Sequence, residues 1–122
     1  MKTPALWRRL PSEPAHRLEE IVDMYLSHEH RDHPAGGCIV PCLSAEIARA
    51  DDEVRDAYTA FVNRIIDKLA TQLEPQADLT EHQRATAIVA MLVGALLIAR
   101  AVSDESTSNQ FLNATRKAAR QV

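Results

Sequence analysis

The segment from residue 80 to residue 102 places the tightest constraint on what this chain can fold into. It opens with Thr80, which can cap a helix, and Gln83 three residues later completes the capping-box pattern. The apolar residues that follow occupy two faces of one helix instead of one. The first is a broad aliphatic face made of Ile88, Val89, Leu92, Val93, Leu96 and Leu97. The second is a face with smaller residues, made of Ala87, Met91, Gly94, Ile98 and Ala101.

Two apolar faces on one helix indicate that the chain needs a partner. One face can fill the core of the chain itself, and the other face then remains to be covered. Gly94 would allow a second backbone to come close, at a cost in helix propensity of about 1 kcal/mol relative to alanine. A homodimer is therefore expected. The alternative is a monomer in which other helices cover both faces.

The apolar character of this segment predicts a buried helix and not a membrane span. Its longest apolar stretch, residues 85–99, is shorter than the roughly 20 residues that a spanning helix requires. The basic N-terminus continues into Pro11, Glu13 and His16, where a secretory signal would need an apolar run. We therefore expect a cytoplasmic protein without a membrane contact.

Residues 1–11 are predicted to form an N-terminal arm, and residues 12–122 a single domain. Pro4 and Pro11 bracket the arm, and Ser12 can cap a first helix that stops near Arg31, ahead of Pro34.

Three further helices follow from the positions of caps and prolines. A short helix starts at Pro41 and breaks near Ala50, and a long helix capped by Asp51 or Asp52 runs until Pro75 ends it. The last helix of the chain is expected to begin at Ser106 or Ser108.

Together these patterns predict an all-α fold, a single bundle of about five helices whose last two form a four-helix dimer interface with a second copy. The chain has 122 residues, 46% of them hydrophobic and only three of them glycine, which suits one helical domain. The predicted interface residues come from both helices: Ala87, Met91, Gly94, Ile98, Ala101, Phe111, Leu112 and Thr115.

The segment 25–38 carries a resemblance to a known family. It reads YLSHEHRDHPAGGC and resembles a stretch of the regulatory domain in many TetR-type (TetR/AcrR) transcription regulators. Segments 45–55 and 92–104 resemble the helices that follow in that domain, and the similarity runs from about Leu18 to Arg120.

The resemblance implies a C-terminal domain that binds a small effector and dimerises through its last two helices. In the family, an effector in the cavity between the helices changes the spacing of two DNA-reading heads. The helix-turn-helix that should precede this region is missing from the sequence, so DNA contact is expected only through a head that this chain lacks. With a net charge of −3 and scattered basic residues, the chain itself offers no field for DNA.

An effector cavity would be lined by adaptable or aromatic side chains on the inward faces of the helices. The residues expected to line it, for a small apolar or amphipathic effector, are Met24, Tyr25, Leu43, Tyr58, Phe61, Val62 and Met91. The same residues at helical spacing would also occur in any packed core.

Two alternatives to a homodimeric sensor follow from the sequence. The first is a headless interaction module that heterodimerises with a full-length regulator. The second is a metal-binding helical bundle, because imidazole and thiolate groups cluster in one stretch: His28, His30, His33, Cys38 and Cys42.

The residue spacing argues against the metal-binding bundle and against an enzyme. The cluster matches no standard zinc signature, so neither a metal nor another cofactor is expected. His30, Arg31 and Asp32 are instead expected to fasten the turn through hydrogen bonds. The chain has no nucleophile elbow, phosphate loop or paired carboxylates, so no catalytic residues are predicted.

Overall fold

A computed structural model describes the backbone of residues 17–34 and 40–122 and the side chains of residues 18–34 and 44–122. These residues form a helical bundle. Besides the helices, they contain one isolated β-bridge, between Gln76 and Leu79. The helices are α1 (Arg17–Tyr25), α2 (His28–Asp32), α3 (Val40–Ile47), α4 (Asp52–Ala70), α5 (Glu81–Ala101) and α6 (Glu105–Ala119). The predicted all-α bundle is confirmed.

Helix α5 is the centre of the bundle and contacts each of the other five helices, α6 most extensively. One face of α5 forms the core, with Ile88, Leu92 and Leu96 almost completely buried. These residues repeat every four positions, which keeps them on one side of a helix with 3.6 residues per turn. Val22 and Leu26 near α1 and Leu112 of α6 are equally buried and complete the core.

The predicted start of α5 is confirmed by a complete capping box. The Thr80 hydroxyl accepts a hydrogen bond from the Gln83 amide at 3.1 Å, and the Gln83 side chain accepts one from the Thr80 amide at 2.9 Å. In the first turn of α5, the buried Arg84 donates to the carbonyl of Glu74 and to a main-chain oxygen of Val122. The start of this helix is therefore fixed both locally and by the chain end.

The predicted start of α4 is confirmed as well, whereas its end comes earlier than expected. Asp51 caps the helix by accepting a hydrogen bond from the Val54 amide at 3.0 Å. The helix ends at Ala70 with Thr71 as its C-cap, five residues before Pro75. Residues 48–50 form a turn ahead of α4, as the expected break near Ala50 requires.

The first helix does not continue to Arg31 as expected, because Ser27 interrupts it. The Ser27 hydroxyl donates to the Met24 carbonyl at 2.8 Å and accepts from the His30 amide at 3.1 Å. It therefore ends α1 and caps α2 with the same side chain. Serine competes with the helical backbone in this way, which is why it favours helix ends.

The cap of α6 is also different from the prediction. Asp104 caps this helix, since its carboxylate accepts hydrogen bonds from the Thr107 amide at 2.8 Å and the Thr107 hydroxyl at 2.6 Å. Ser106 is exposed in the first turn. Ser108 is buried and donates to the Ala99 carbonyl of α5 at 2.7 Å, so it joins two helices instead of capping one.

Candidate functional site

Helix α5 has an uncovered apolar side, which we call the α5 outer face. It consists of Ala87, Ala90, Met91, Gly94, Leu97, Ile98 and Ala101, all of them half-buried or exposed. Leu97 is 50% exposed and Ile98 41%. Leu97 was predicted on the core face and lies on this one instead, because the core face of α5 is narrower than its hydrophobic pattern indicates. A partner that bound to the α5 outer face would remove its apolar surface from water.

Gly94 lies in the middle of the α5 outer face. A Cβ atom built at this position has no heavy atom within 4 Å among its non-local neighbours. Nothing in the described part of the chain therefore requires glycine at position 94. The helix carries the propensity cost of glycine without a compensating contact of its own.

The predicted interface residues of α6 are not equally accessible. Phe111 and Thr115 are half-buried. Leu112 is only 1% exposed and belongs to the core of the chain, so its side chain is not available to a partner on the surface. Neighbouring residues of α6 therefore differ: Leu112 belongs to the core, and Phe111 and Thr115 reach the surface.

Helix α5 is also, within the described residues, the one helix that is long and apolar enough to cross a membrane by length and composition. Its 21 residues exceed the length of the apolar stretch seen in the sequence. The core face of α5 is nevertheless buried against the bundle, together with the charged side chain of Arg84. These are features of a core helix with one uncovered side.

The residues predicted to line an effector cavity lie in different environments. Tyr25 and Phe61 are buried in the core, at 2% and 4% exposure. Four others are half-buried: Met24, Tyr58, Val62 and Met91. The side chain of Leu43 lies outside the described residues. The assignment of these residues to a cavity therefore stays a prediction.

One pair of hydroxyl groups joins α3 to α4 near these residues. The Tyr58 hydroxyl and the Ser44 hydroxyl form a short hydrogen bond. Tyr58 also packs against the core with its half-buried ring. Polar groups among apolar side chains are what ligand pockets use to fix the orientation of a ligand.

A buried arginine joins α2 to α6. The Arg31 side chain is 9% exposed, and its Nη1 donates to Ser108 Oγ at 3.1 Å and to Asn109 Oδ1 at 3.2 Å. Its Nη2 donates to Glu105 Oε1 at 3.2 Å. Its Nε donates to the neighbouring Asp32 at 2.8 Å. The carboxylates of Asp32 and Glu105 raise the pKa of Arg31 further above its usual range, so the guanidinium is charged and paired.

A second arginine holds α2 from the side of α5. Arg100 donates from Nε to the Arg31 carbonyl at 3.0 Å and from Nη2 to the His30 carbonyl at 2.6 Å. These carbonyls lie at the C-terminal end of α2, where a helix leaves its last acceptors unpaired and favours positive charge. We call the contacts of Arg31 and Arg100 the α2 clamp.

His30 is the buried residue of α2 that faces α1. Its Nδ1 lies 2.6 Å from the Tyr25 carbonyl, and its ring meets the Tyr25 ring edge-on at a centroid distance of 4.7 Å. Burial lowers the pKa of His30 below 6.5, and the positive charge of Arg100 lowers it further, although the Tyr25 carbonyl acts in the opposite direction. The neutral imidazole is therefore the form that fits this site.

The sequence indicated that His30, Arg31 and Asp32 fasten a turn, and the hydrogen bonds confirm that role. It did not indicate Arg100, Glu105 or Ser108 as their partners, because these residues lie 69 to 77 positions away from Arg31.

A polar cleft of about 320 Å³ lies beside the α2 clamp. Its walls include Arg31, Arg100, Asp104 and Glu105. The Arg31 guanidinium is already paired with the Glu105 carboxylate, and the Asp104 carboxylate already accepts a hydrogen bond from the Thr107 amide in the first turn of α6. None of the seven residues predicted to line the effector cavity contributes to this cleft.

The histidine and cysteine cluster is only partly described. His28 and His33 are exposed, whereas His30 is buried. Within the described residues, no three His, Cys, Asp or Glu side chains group as metal ligands do. The side chains of Cys38 and Cys42 lie outside those residues.

A model of a known family matches most of the chain. The model of the family described as "Tetracyclin repressor-like, C-terminal domain" matches residues 14–115. Comparisons with curated proteins and with solved structures gave no match. The matched range includes helices α1 to α5 and most of α6.

Proposed function

The chain belongs to the family of tetracyclin repressor-like C-terminal domains, and on that premise we propose that it is the small-molecule-sensing and dimerising domain of a TetR-type transcription regulator. In this family the C-terminal domain serves regulation, not DNA reading. The proposal has two parts, dimerisation through α5 and α6 and an effector cavity among the remaining helices.

The α5 outer face is the observation that carries the dimerisation part. Helix α5 has 21 residues and is therefore about 30 Å long. When the α5–α6 pair of one copy packs against the same pair of a second copy, the interface buries on the order of 1,000 Å² or more, which is the area that a stable dimer needs. The occupant that we propose is the same face of a second copy. A two-fold axis makes a surface complementary to itself, so a single apolar face is sufficient.

Gly94 supports close packing at the centre of that interface. The position has open space in the single chain, so a second helix can approach its backbone without displacing a side chain. We propose that the partner covers Ala87, Met91, Ile98 and Ala101 of α5 and Phe111 and Thr115 of α6 at the same time.

The sensing part of the proposal assigns a cavity between α1, α3, α4 and α5. Its proposed lining includes the predicted residues Met24, Tyr25, Leu43, Tyr58, Phe61, Val62 and Met91. Met91 also packs against the core from the edge of the α5 outer face, so in this proposal it contacts both the cavity and the partner. The hydrogen-bonded hydroxyls of Ser44 and Tyr58 would orient the polar end of an effector, and the surrounding apolar side chains would hold its body. A small amphipathic molecule fits this chemistry.

The same proposal places the protein in the cytoplasm and assigns DNA contact to another part of the regulator. The net charge of −3 supports this division of roles, because phosphate binding requires concentrated basic residues. The proposed function requires neither a cofactor nor a catalytic residue.

The solution mass of the purified chain tests the proposal most directly. Light scattering at a series of concentrations should give twice the chain mass of 13.6 kDa. A monomer at every concentration would contradict the proposal. For the sensing part, small amphipathic compounds are added to the dimer in a thermal-shift assay, and a bound effector raises Tm because it binds only the native state.

A further inference from the structure

Helix α2 is too short to be stable by itself. It has five residues, little more than one turn, and a first turn costs more conformational entropy than its hydrogen bonds return. Its position and its helical form are therefore maintained by contacts with the rest of the bundle. The strongest of these contacts belong to the α2 clamp.

The α2 clamp acts on the junction of α5 and α6 from both sides. Arg100, in the last turn of α5, holds the two carbonyls at the end of α2. Arg31 of α2 holds Glu105 and Ser108 in the first two turns of α6. Ser108 in turn donates to the Ala99 carbonyl of α5. The end of α5 and the start of α6 are thus connected to α2 by charge-assisted hydrogen bonds, which are stronger than neutral ones.

The same end of α5 carries the most exposed part of the α5 outer face. Leu97, Ile98 and Ala101 lie within one turn of Arg100. Arg100 is a neighbour of Leu97 on the helix surface, three positions away, and lies on a different side of the helix from Ile98 and Ala101. A movement of α2 that pulls on Arg100 would therefore reorient the apolar side chains that a partner contacts.

Helix α2 is also close in sequence to the proposed cavity. It follows α1 after two residues, and the chain continues from it to α3. Two proposed cavity residues, Met24 and Tyr25, form the end of α1, and the Tyr25 carbonyl accepts the His30 hydrogen bond. A ligand that displaced either residue would act on α2 directly.

We propose that α2 is a coupling element, whose docking through Arg31 and Arg100 sets the angle of the α5–α6 pair and thereby the strength of the dimer. This inference rests on the proposed dimerisation of the chain. It adds the route by which a rearrangement next to the cavity reaches the interface. Coupling of this kind is reciprocal, so dimerisation must also stabilise the docked state of α2.

The first test replaces Arg100 with lysine, which keeps the positive charge but loses the planar fork that holds two carbonyls at once. The dissociation constant of the dimer, measured by sedimentation at a series of dilutions, should increase at least about fivefold, the lower end of common coupling strengths. The matched control is Arg55→Lys on the exposed side of α4, which should leave the dissociation constant unchanged.

The second test leaves the clamp intact and uses hydrogen exchange. The amides of residues 30–33 should exchange faster in the monomeric variant Ile98→Glu than in the wild-type dimer, although position 98 belongs to the α5 outer face and not to the α2 clamp. The amides in the middle of α4 serve as the reference. This measurement remains decisive even if Arg100→Lys folds poorly.

The outcomes separate the inference from the function on which it rests. A wild-type chain that is monomeric at every concentration overturns both. A dimer whose dissociation constant is the same for wild type and Arg100→Lys, or whose α2 amides exchange equally in monomer and dimer, overturns the coupling alone.

Discussion

Arg31 and Ser108 are 77 positions apart in the sequence, and Arg31 Nη1 lies 3.1 Å from Ser108 Oγ in the folded chain. The serine hydroxyl accepts from the arginine and donates to the Ala99 carbonyl. Both side chains are buried, at 9% and 3% exposure. A single hydroxyl therefore connects α2, α5 and α6.

Replacing Ser108 with alanine should lower the free energy of unfolding by about 1–3 kcal/mol, because the Ala99 carbonyl and the Arg31 guanidinium each lose a buried partner. Urea unfolding at neutral pH measures the change. Ser106→Ala in the exposed first turn of α6 is the control and should cost less. Equal losses for the two variants would mean that the Ser108 hydroxyl does not contribute as the geometry indicates.

A charge on the α5 outer face should separate the proposed dimer. Ile98→Glu would bury a carboxylate without a partner, which costs several kcal/mol, so the dissociation constant should increase at least about 100-fold. Light scattering measures the mass, and circular dichroism checks that the helices persist. Ala60→Glu, on the exposed side of α4, should remain dimeric; if both variants stay dimeric, the interface lies elsewhere.

Gly94→Ala should stabilise the folded monomer and weaken the dimer. In the Ile98→Glu background the added methyl group meets open space and raises the free energy of unfolding by about 1 kcal/mol through helix propensity. In the wild-type chain it should raise the dissociation constant, because the methyl group keeps the partner helix away. An unchanged dimer would show that no backbone approaches Gly94.

The stability of the chain should fall as the pH drops below about 6.5, the ordinary histidine pKa. Because burial lowers the pKa of His30 in the folded state, the unfolded chain takes up the proton first, and protonation favours unfolding. The loss continues until the pH falls through the lowered pKa of the folded state.

Urea unfolding between pH 5 and pH 8, compared for wild type and His30→Gln, isolates this contribution. The other four histidines of the chain are present in both proteins, so the difference between the two profiles reports on position 30. Parallel pH profiles for the two proteins would show that His30 does not titrate as its burial requires.

Asp104→Ala should destabilise α6 more than Ser106→Ala does, because Asp104 supplies the cap. Hydrogen bonds from Thr107 lower the pKa of the Asp104 carboxyl, so its contribution is complete above the ordinary carboxyl pKa of 3.8 and is lost as the pH falls through the lowered value. Thermal unfolding at pH 7 and at pH 3 checks both statements. A larger effect of Ser106→Ala would restore the cap that the sequence suggested.

Local signals in the sequence were sufficient for the starts of α4 and α5. The capping box of Thr80 and Gln83 and the cap at Asp51 involve atoms three residues apart, so the sequence contains all the partners that matter. The class of the fold followed from hydrophobic spacing in the same way. A second apolar face on α5 was also visible, because the helical repeat alone places residues 87, 91, 94, 98 and 101 together.

Tertiary structure decided which residues on those faces are buried, and which distant side chains meet. Leu97 and Leu112 are both leucines on predicted apolar faces, but one is half-exposed and the other is in the core. The difference depends on how α5 and α6 are rotated against the bundle, which spacing does not specify. The partners of Arg31 and Arg100 became known only from the docking of α2, because a hydrogen bond across 70 positions leaves no periodic signal.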